Sequence, residues 1–161
     1  MIVSDGLPPF QRFLDTHRED VWRFLLSMAG PGDAEDCFQE TFIAALRAYP
    51  RLRADSNLRA WVLTIAHRKA LDAHRARARR AVPVADPETV QRTTSGPAPE
   101  RDEELWQAVG SLPARQRSAV VLRYVADLPH RDIAAAIGCS EEAARRSLHE
   151  GLTRLREAVA A

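Results

Sequence analysis

Along the first half of the chain, apolar residues return every three to four positions, the spacing that gathers them on one side of an α-helix. Phe38, Phe42, Leu46 and Tyr49 mark one such stripe, with Asp36, Glu40 and Arg47 on its other faces. Phe13, Val21, Trp22, Phe24, Leu25 and Met28 predict an earlier helix from Phe10 to Met28, stopped by Ala29-Gly30-Pro31-Gly32. Leu58, Trp61, Val62, Ile65, Ala66 and Leu71 predict a third, from Leu58 to about Arg79. Four shorter helices follow in the second half: Arg101 to Val109, Ala114 to Val125, Arg131 to Ile137, and Glu141 to Val159. Leu112-Pro113 and Leu128-Pro129 divide them, since proline disfavours helical geometry in the residue before it. No segment carries a convincing strand pattern, so the expected class is all-α.

Residues 81–100 interrupt the helical period and hold four of the chain's ten prolines. With Thr93-Thr94-Ser95-Gly96-Pro97 at its centre, this stretch reads as an extended, flexible linker. The expected organisation is two small helical domains, 1–80 and 101–161, joined by 81–100. A coil of this length spans ~25 Å and reaches ~60 Å when stretched. Inside the second domain, Ile133, Ala134 and Ile137 form a short apolar face, Gly138 tolerates positive φ, and Ser140 can cap a new helix. Glu141 and Glu142 then complement the positive end of that helix. The result is a helix-turn-helix, a shape that ordinary helical hairpins also adopt.

Composition narrows the functional classes. An apolar fraction of 45% excludes disorder across the whole chain, and 23 basic against 22 acidic residues leave a net charge of +1. No bulk positive field draws the protein to nucleic acid or anionic lipid, so any such binding needs a local patch. Cys37 and Cys139 form no C-x-x-C pair and read as ordinary thiols of a reducing compartment. The amino terminus lacks a signal-peptide pattern, and no apolar run approaches the ~18 residues of a membrane span. The expected location is the cytoplasm, with no membrane insertion.

One local patch stands out. His67, Arg68, Lys69, His74, Arg75, Arg77, Arg79 and Arg80 crowd the end of the third helix, with Asp72 among them. Such a cluster suits phosphates, and a nearby tryptophan can stack on unpaired bases. It equally suits the negative end of a helix dipole. Trp22 reads as core, while Trp61 divides between core and stacking. On the last helix, Arg145, Arg146 and His149 point together from the first two turns, where a recognition helix meets base edges, although Glu141, Glu142 and Glu150 share that surface. Asp33, Glu35, Asp36 and Glu40 read as a dipole-complementing or partner-facing group rather than a metal site. No glycine-rich phosphate loop, nucleophile elbow or H-E-x-x-H spacing occurs, so neither catalytic residues nor a cofactor or metal are expected.

These residues together resemble the extracytoplasmic-function group of the sigma-70 family of bacterial RNA polymerase sigma factors. Asp33-Ala-Glu-Asp36-Cys-Phe-Gln39-Glu40-Thr-Phe42 is similar to the family's D-A-E-D-x-x-Q-E-x-F motif. Leu52-Arg-Ala-Asp-Ser56 before Trp61, Ile65-Ala66 before Asp72 and Arg75, and in the second half Leu112-Pro113, Gln116-Arg117 and Asp132-Ile-Ala134 follow in the family's order. The resemblance implies a non-enzymatic factor that binds core RNA polymerase, directs it to promoters and helps melt the start site. It places polymerase docking on Asp36, Gln39, Glu40 and Phe42. It implies contact with promoter DNA both as duplex and as melted single strand, and places minus-ten recognition and melting on Asp55, Ser56, Asn57, Trp61, Arg68, Lys69 and Arg75. Minus-thirty-five recognition falls to Arg145, Arg146 and His149, and an anti-sigma protein is an expected partner.

The chain departs from the family pattern in places. Arg68 stands where asparagine is usual, Leu52 where phenylalanine is common, and Glu142-Ala143-Ala144-Arg145-Arg146-Ser147 where G-T-V-K-S-R opens the recognition helix. Glu150 occupies a position that is usually basic. An alternative reading is therefore a polymerase-binding, sigma-like modulator with weakened promoter reading.

Overall fold

The structure is a computed structural model and describes residues 6–80 and 100–161. Its helices run α1 (Phe10–Ala29), α2 (Pro31–Ala48), α3 (Leu58–Arg80), α4 (Glu100–Gly110), α5 (Ala114–Tyr124), α6 (His130–Ile137) and α7 (Glu141–Ala160). A single 3-10 turn, Tyr49–Arg51, follows α2, and no strand occurs among the described residues. The helix limits fall close to those expected from periodicity and proline placement. The linker expected at 81–100 lies outside the described residues, except that Glu100 opens α4.

Helices α1, α2 and α3 pack against one another around Phe13, Val21, Phe24 and Leu25 of α1 and Val62 and Leu63 of α3, all sealed from water. Phe13 is the hub. Its ring centre lies 5.2–6.3 Å from those of Phe10, Phe42, Tyr49 and Trp61, in tilted or edge-on arrangements that aromatic quadrupoles favour. The Tyr49 hydroxyl donates to the Pro8 carbonyl and ties the leading segment to this cluster.

The apolar stripe expected on α2 needs correction. Its inward residues are Ala34, Cys37, Thr41, Phe42 and Ala45, whereas Leu46 is 54% exposed and Tyr49 belongs to the following turn. A strict four-residue step drifts about 40° per step around a helix of 3.6 residues per turn, so a stripe begun at Phe38 has rotated into water by Leu46. Trp22 is corrected likewise. It is 37% exposed and meets Phe38 edge-on with 5.8 Å between ring centres, because it sits nine residues from Phe13, half a rotation away from the core.

In the second half, α7 is the spine on which α4, α5 and α6 pack. Helix α6 ends at Gly138 in the left-handed conformation (φ 80°, ψ 41°), and its N–H closes on the Ala134 carbonyl. Ser140 then caps α7, its hydroxyl accepting the Ala143 N–H at 3.1 Å. Helix-turn-helix geometry thus follows from one residue tolerant of positive φ and one short acceptor. The α5–α7 crossing depends on a residue without a side chain. A Cβ at Gly151 would stand 2.9 Å from Val120 Cγ2 and 3.4 Å from Gln116 Cβ.

The two groups of helices also meet, with α1 and α3 facing α4, α5 and α6. His67 and Ser118 share a 2.8 Å hydrogen bond across this seam, and Arg59 donates to the Ala126 carbonyl.

Two stability changes are expected. Gly151→Leu should overpack the α5–α7 crossing and cost about 1–3 kcal/mol in urea unfolding, with Val120→Ala recovering part of the loss; an unchanged midpoint would mean that the crossing has slack. Asn57 Oδ1 accepts the Ala60 N–H at 3.1 Å and caps α3. Asn57→Ala should therefore cost about 1 kcal/mol, while Asn57→Ser should retain most of it; equal losses in both variants would refute a capping role.

Candidate polymerase and nucleic-acid interfaces

The first surface lies on α2. Successive helical residues are 100° apart, so Asp36, Gln39, Glu40, Ile43, Leu46 and Arg47 fall within one arc, and all six are exposed. Ile43 and Leu46 are 51% and 54% exposed, which places an apolar pair directly after the acids. Phe42 is 7% exposed and packs against Phe13 and Phe38, beneath this surface rather than on it. Ile43 was missed in the sequence because it lies off the inward stripe. That displacement is the signal that could have found it.

The acids are not equivalent. Asp33 is paired with Arg77 at 2.8 Å, which fastens the end of α3 to the start of α2. Asp36 and Glu40 remain directed to water. Their field is felt beneath them: burial first, then Asp33, Glu40, Asp36 and Asp72, push the Cys37 thiol up to about 11, so it stays protonated at neutral pH. Among the described residues no group of three or more His, Cys, Asp or Glu could hold a metal ion.

The second surface runs along α3. Trp61, Arg68, Asp72, Arg75 and Arg79 recur at i, i+7, i+11, i+14 and i+18, within about 30° of a single line. The four charged members are exposed, and Trp61 is half-buried against Phe13 and Tyr49, ring centres 5.7 and 6.3 Å away. Lys69 is half-buried beside this line, and the Cys37 thiol points toward its carbonyl at 3.7 Å. His67 does not belong to the patch. It is 1% exposed, turned about 120° from the line, and burial pushes its pKa down to about 4, which leaves it neutral at physiological pH. Arg77 is spent on Asp33.

Asp55, Ser56 and Asn57 form the turn that leads into α3. Asp55 pairs with Arg53 at 3.3 Å, the Ser56 N–H closes on the Arg53 carbonyl at 3.1 Å, and Asn57 is the cap. These bonds hold the turn at the tryptophan end of the α3 line.

The third surface is the start of α7. Arg145, Arg146 and His149 are all exposed and lie within about 100° of arc. Arg145 is bound to Glu141 at 2.8 Å, one turn earlier. Glu150 accepts a hydrogen bond from Gln116 at 3.2 Å, which turns that acid toward α5. Two of the acids sharing this surface are thereby held by their own chain. No helix among the described residues is long and apolar enough to cross a membrane.

Residues 13–80 match the family described as Sigma-70 region 2, and residues 102–155 match Sigma-70, region 4. The chain is 40% identical over 62 residues to an ECF RNA polymerase sigma factor, SigC, of Mycobacterium tuberculosis, covering 38% of this chain and 34% of that one. It is 34% identical over 64 residues to the ECF sigma factor SigX of Bacillus subtilis, covering 39% and 33%. The matched stretch thus spans about a third of the length of these curated relatives. In fold, it matches the Bartonella quintana sigma factor RpoE, solved with the anti-sigma factor NepR, at a TM-score of 0.78 and 23% identity over 94% of this chain and 97% of that one. CnrH, solved with the cytosolic domain of CnrY, matches at a TM-score of 0.69 and 21% identity over 92% and 85%. With regions 2 and 4 both present and in order, the chain belongs to the sigma-70 family of RNA polymerase sigma factors, in the extracytoplasmic-function group.

Proposed function

We propose that this protein is a cytoplasmic transcription initiation factor that docks on core RNA polymerase through α2, engages a melted promoter strand along α3 and reads upstream duplex with α7, without chemistry of its own. The observation that carries this reading is the α2 arc, where Asp36, Gln39 and Glu40 run into exposed Ile43 and Leu46. Acids beside an uncovered apolar pair suit a basic helical partner, since charge steers the encounter and the apolar pair is desolvated on contact. The α3 line supports the second role: an indole with arginines along one helical edge offers a stacking platform and phosphate contacts for unpaired bases. Residues 1–80 would form the docking and melting domain and 101–161 the duplex-reading domain. An anti-sigma protein is a fitting regulator, with a surface this polar and apolar at once needing cover until the polymerase takes it.

A second reading is favoured by one contact. The 2.8 Å Arg145–Glu141 pair competes with bidentate recognition of guanine, which would weaken duplex reading and leave a polymerase-bound modulator.

Ile43→Asp and Asp36→Arg should each reduce co-elution with core polymerase at least tenfold while leaving the helical circular dichroism signal unchanged. Retained co-elution in both variants would remove α2 as the docking surface. Glu141→Gln should free Arg145 and tighten binding of the second half to its duplex element severalfold. Unchanged binding would show that Arg145 exchanges partners at no cost.

A further inference from the structure

The chain enters α1 through Gly6-Leu7-Pro8-Pro9, and this short segment is tied to the stretch between α2 and α3. Leu7 is buried in the core. The Tyr49 hydroxyl donates to the Pro8 carbonyl, and the Tyr49 ring meets that of Phe10 edge-on, centres 5.3 Å apart. Burial pushes the Tyr49 hydroxyl up from its ordinary range, so the donor keeps its proton at neutral pH. Pro9 sits at φ −54° and ψ 143°, and its carbonyl accepts from the Arg12 and Phe13 N–H groups at 2.9 and 3.1 Å. With φ fixed at two successive prolines and the far end bonded into α1, the segment is a stiff strut.

The strut touches one corner. Arg53, Ala54, Asp55 and Ser56 make a turn closed by the Ser56 N–H on the Arg53 carbonyl, with Ala54 and Asp55 at its centre. Gly6 has a φ of 96°, and a Cβ there would stand 2.8 Å from Ala54 Cβ, closer than two such carbons approach. Any side chain at position 6 would therefore be strained in its own backbone and would push the turn aside. The Arg53–Asp55 pair has side chains 84% and 74% exposed and holds the turn only weakly. Tyr49 reinforces the strut from the other direction. Its carbonyl accepts the Leu52 N–H at 3.1 Å at the entry to the turn, and its ring centre lies 6.3 Å from that of Trp61 beyond the exit.

This arrangement sets where the turn stands relative to the indole. Stacking on Trp61 and phosphate contacts along α3 accept every base, so they supply affinity without selection. Selection needs hydrogen bonds, which fade when donor and acceptor leave a window of about 2.7–3.2 Å. The polar side chains of Asp55 and Ser56 stand at the tryptophan end of the α3 line, where a stacked base would meet them.

We propose that Gly6, Pro8 and Tyr49 are positioning residues for base selection: the strut braces the Arg53–Ser56 turn at Ala54 and so fixes how a base stacked on Trp61 meets that turn. The inference rests on the strand-binding role proposed above for α3. It separates selectivity, which depends on the strut, from affinity, which does not.

Holoenzyme assembled from the full chain and purified core polymerase tests this against a pool of random single-stranded DNAs of about 12 nucleotides. Total retention is measured, and the retained strands are sequenced. The wild type should enrich one base at a fixed position about fivefold or more, the lower end of what a well-placed pair of hydrogen bonds discriminates. Tyr49→Phe removes the hydroxyl and keeps the ring, and Gly6→Ala sets a carbon against Ala54. Each should flatten the preference to less than about twofold while leaving total retention and polymerase co-elution unchanged. A general loosening of the fold would lower all three together. Ala54→Gly in the Gly6→Ala background removes the opposing carbon and should restore part of the preference, which added instability would not do. Preference retained in both single variants overturns the strut's role. Should Gly6→Ala lose its helical circular dichroism signal, Tyr49→Phe alone decides. A wild-type holoenzyme that retains the pool without preferring any base removes base selection by the turn, and the strut's role with it, while leaving strand binding intact. One that retains none of the pool sinks the strand-binding reading itself.

Discussion

Helix α3 has to satisfy an apolar core, a polar seam and an exposed basic line at once, and the 100° step between its residues is what keeps the three apart. Val62, Leu63, Ala66 and Ala70 turn inward, Arg59 and His67 turn to the second group of helices, and Trp61, Arg68 and Arg75 turn to water. Rotating the helix by a single residue would bury arginine against α1 and expose leucine. The aromatic cluster around Phe13 prevents this, since Trp61 is held there on one face while presenting an edge outside.

That division also accounts for how a chain of almost no net charge can carry distinct charged faces. Acids predominate over bases on the α2 arc, and bases over acids on the α3 line. Asp33 is paired with Arg77, Glu141 with Arg145, and Glu150 with Gln116, while Asp36 and Glu40 on the α2 arc and Arg68, Arg75 and Arg79 on the α3 line face water. Exposed ion pairs such as Arg145–Glu141 contribute little stability to the fold.

Much of the fold was legible because its signals are local. Helical period, Pro113 and Pro129 at helix starts, and the Gly138–Ser140 turn each act within a few residues. Which apolar residue faces out was less legible. Leu46 looked inward because a four-residue step imitates helical period over one or two turns, and Trp22 because bulk suggests burial. Phe42 sat inside a docking motif yet supports that surface from the core. His67 looked like part of a basic cluster by sequence adjacency, while its environment comes from Ser118, 51 residues away. Gly151 left no trace, because a close helix crossing is a property of two segments at once. The exposed acids of α2 and the α3 arginines were legible as surface groups, since their spacing alone puts them on common faces.

The central claim is that α2, α3 and α7 act together to direct core polymerase to one promoter. Run-off transcription with purified core enzyme on fragmented genomic DNA, with the 5′ ends of the transcripts sequenced, tests it most directly. The account predicts starts clustered downstream of a shared two-part motif, lost with Asp36→Arg. Absence of specific starts from a protein that still co-elutes with the core enzyme would contradict it.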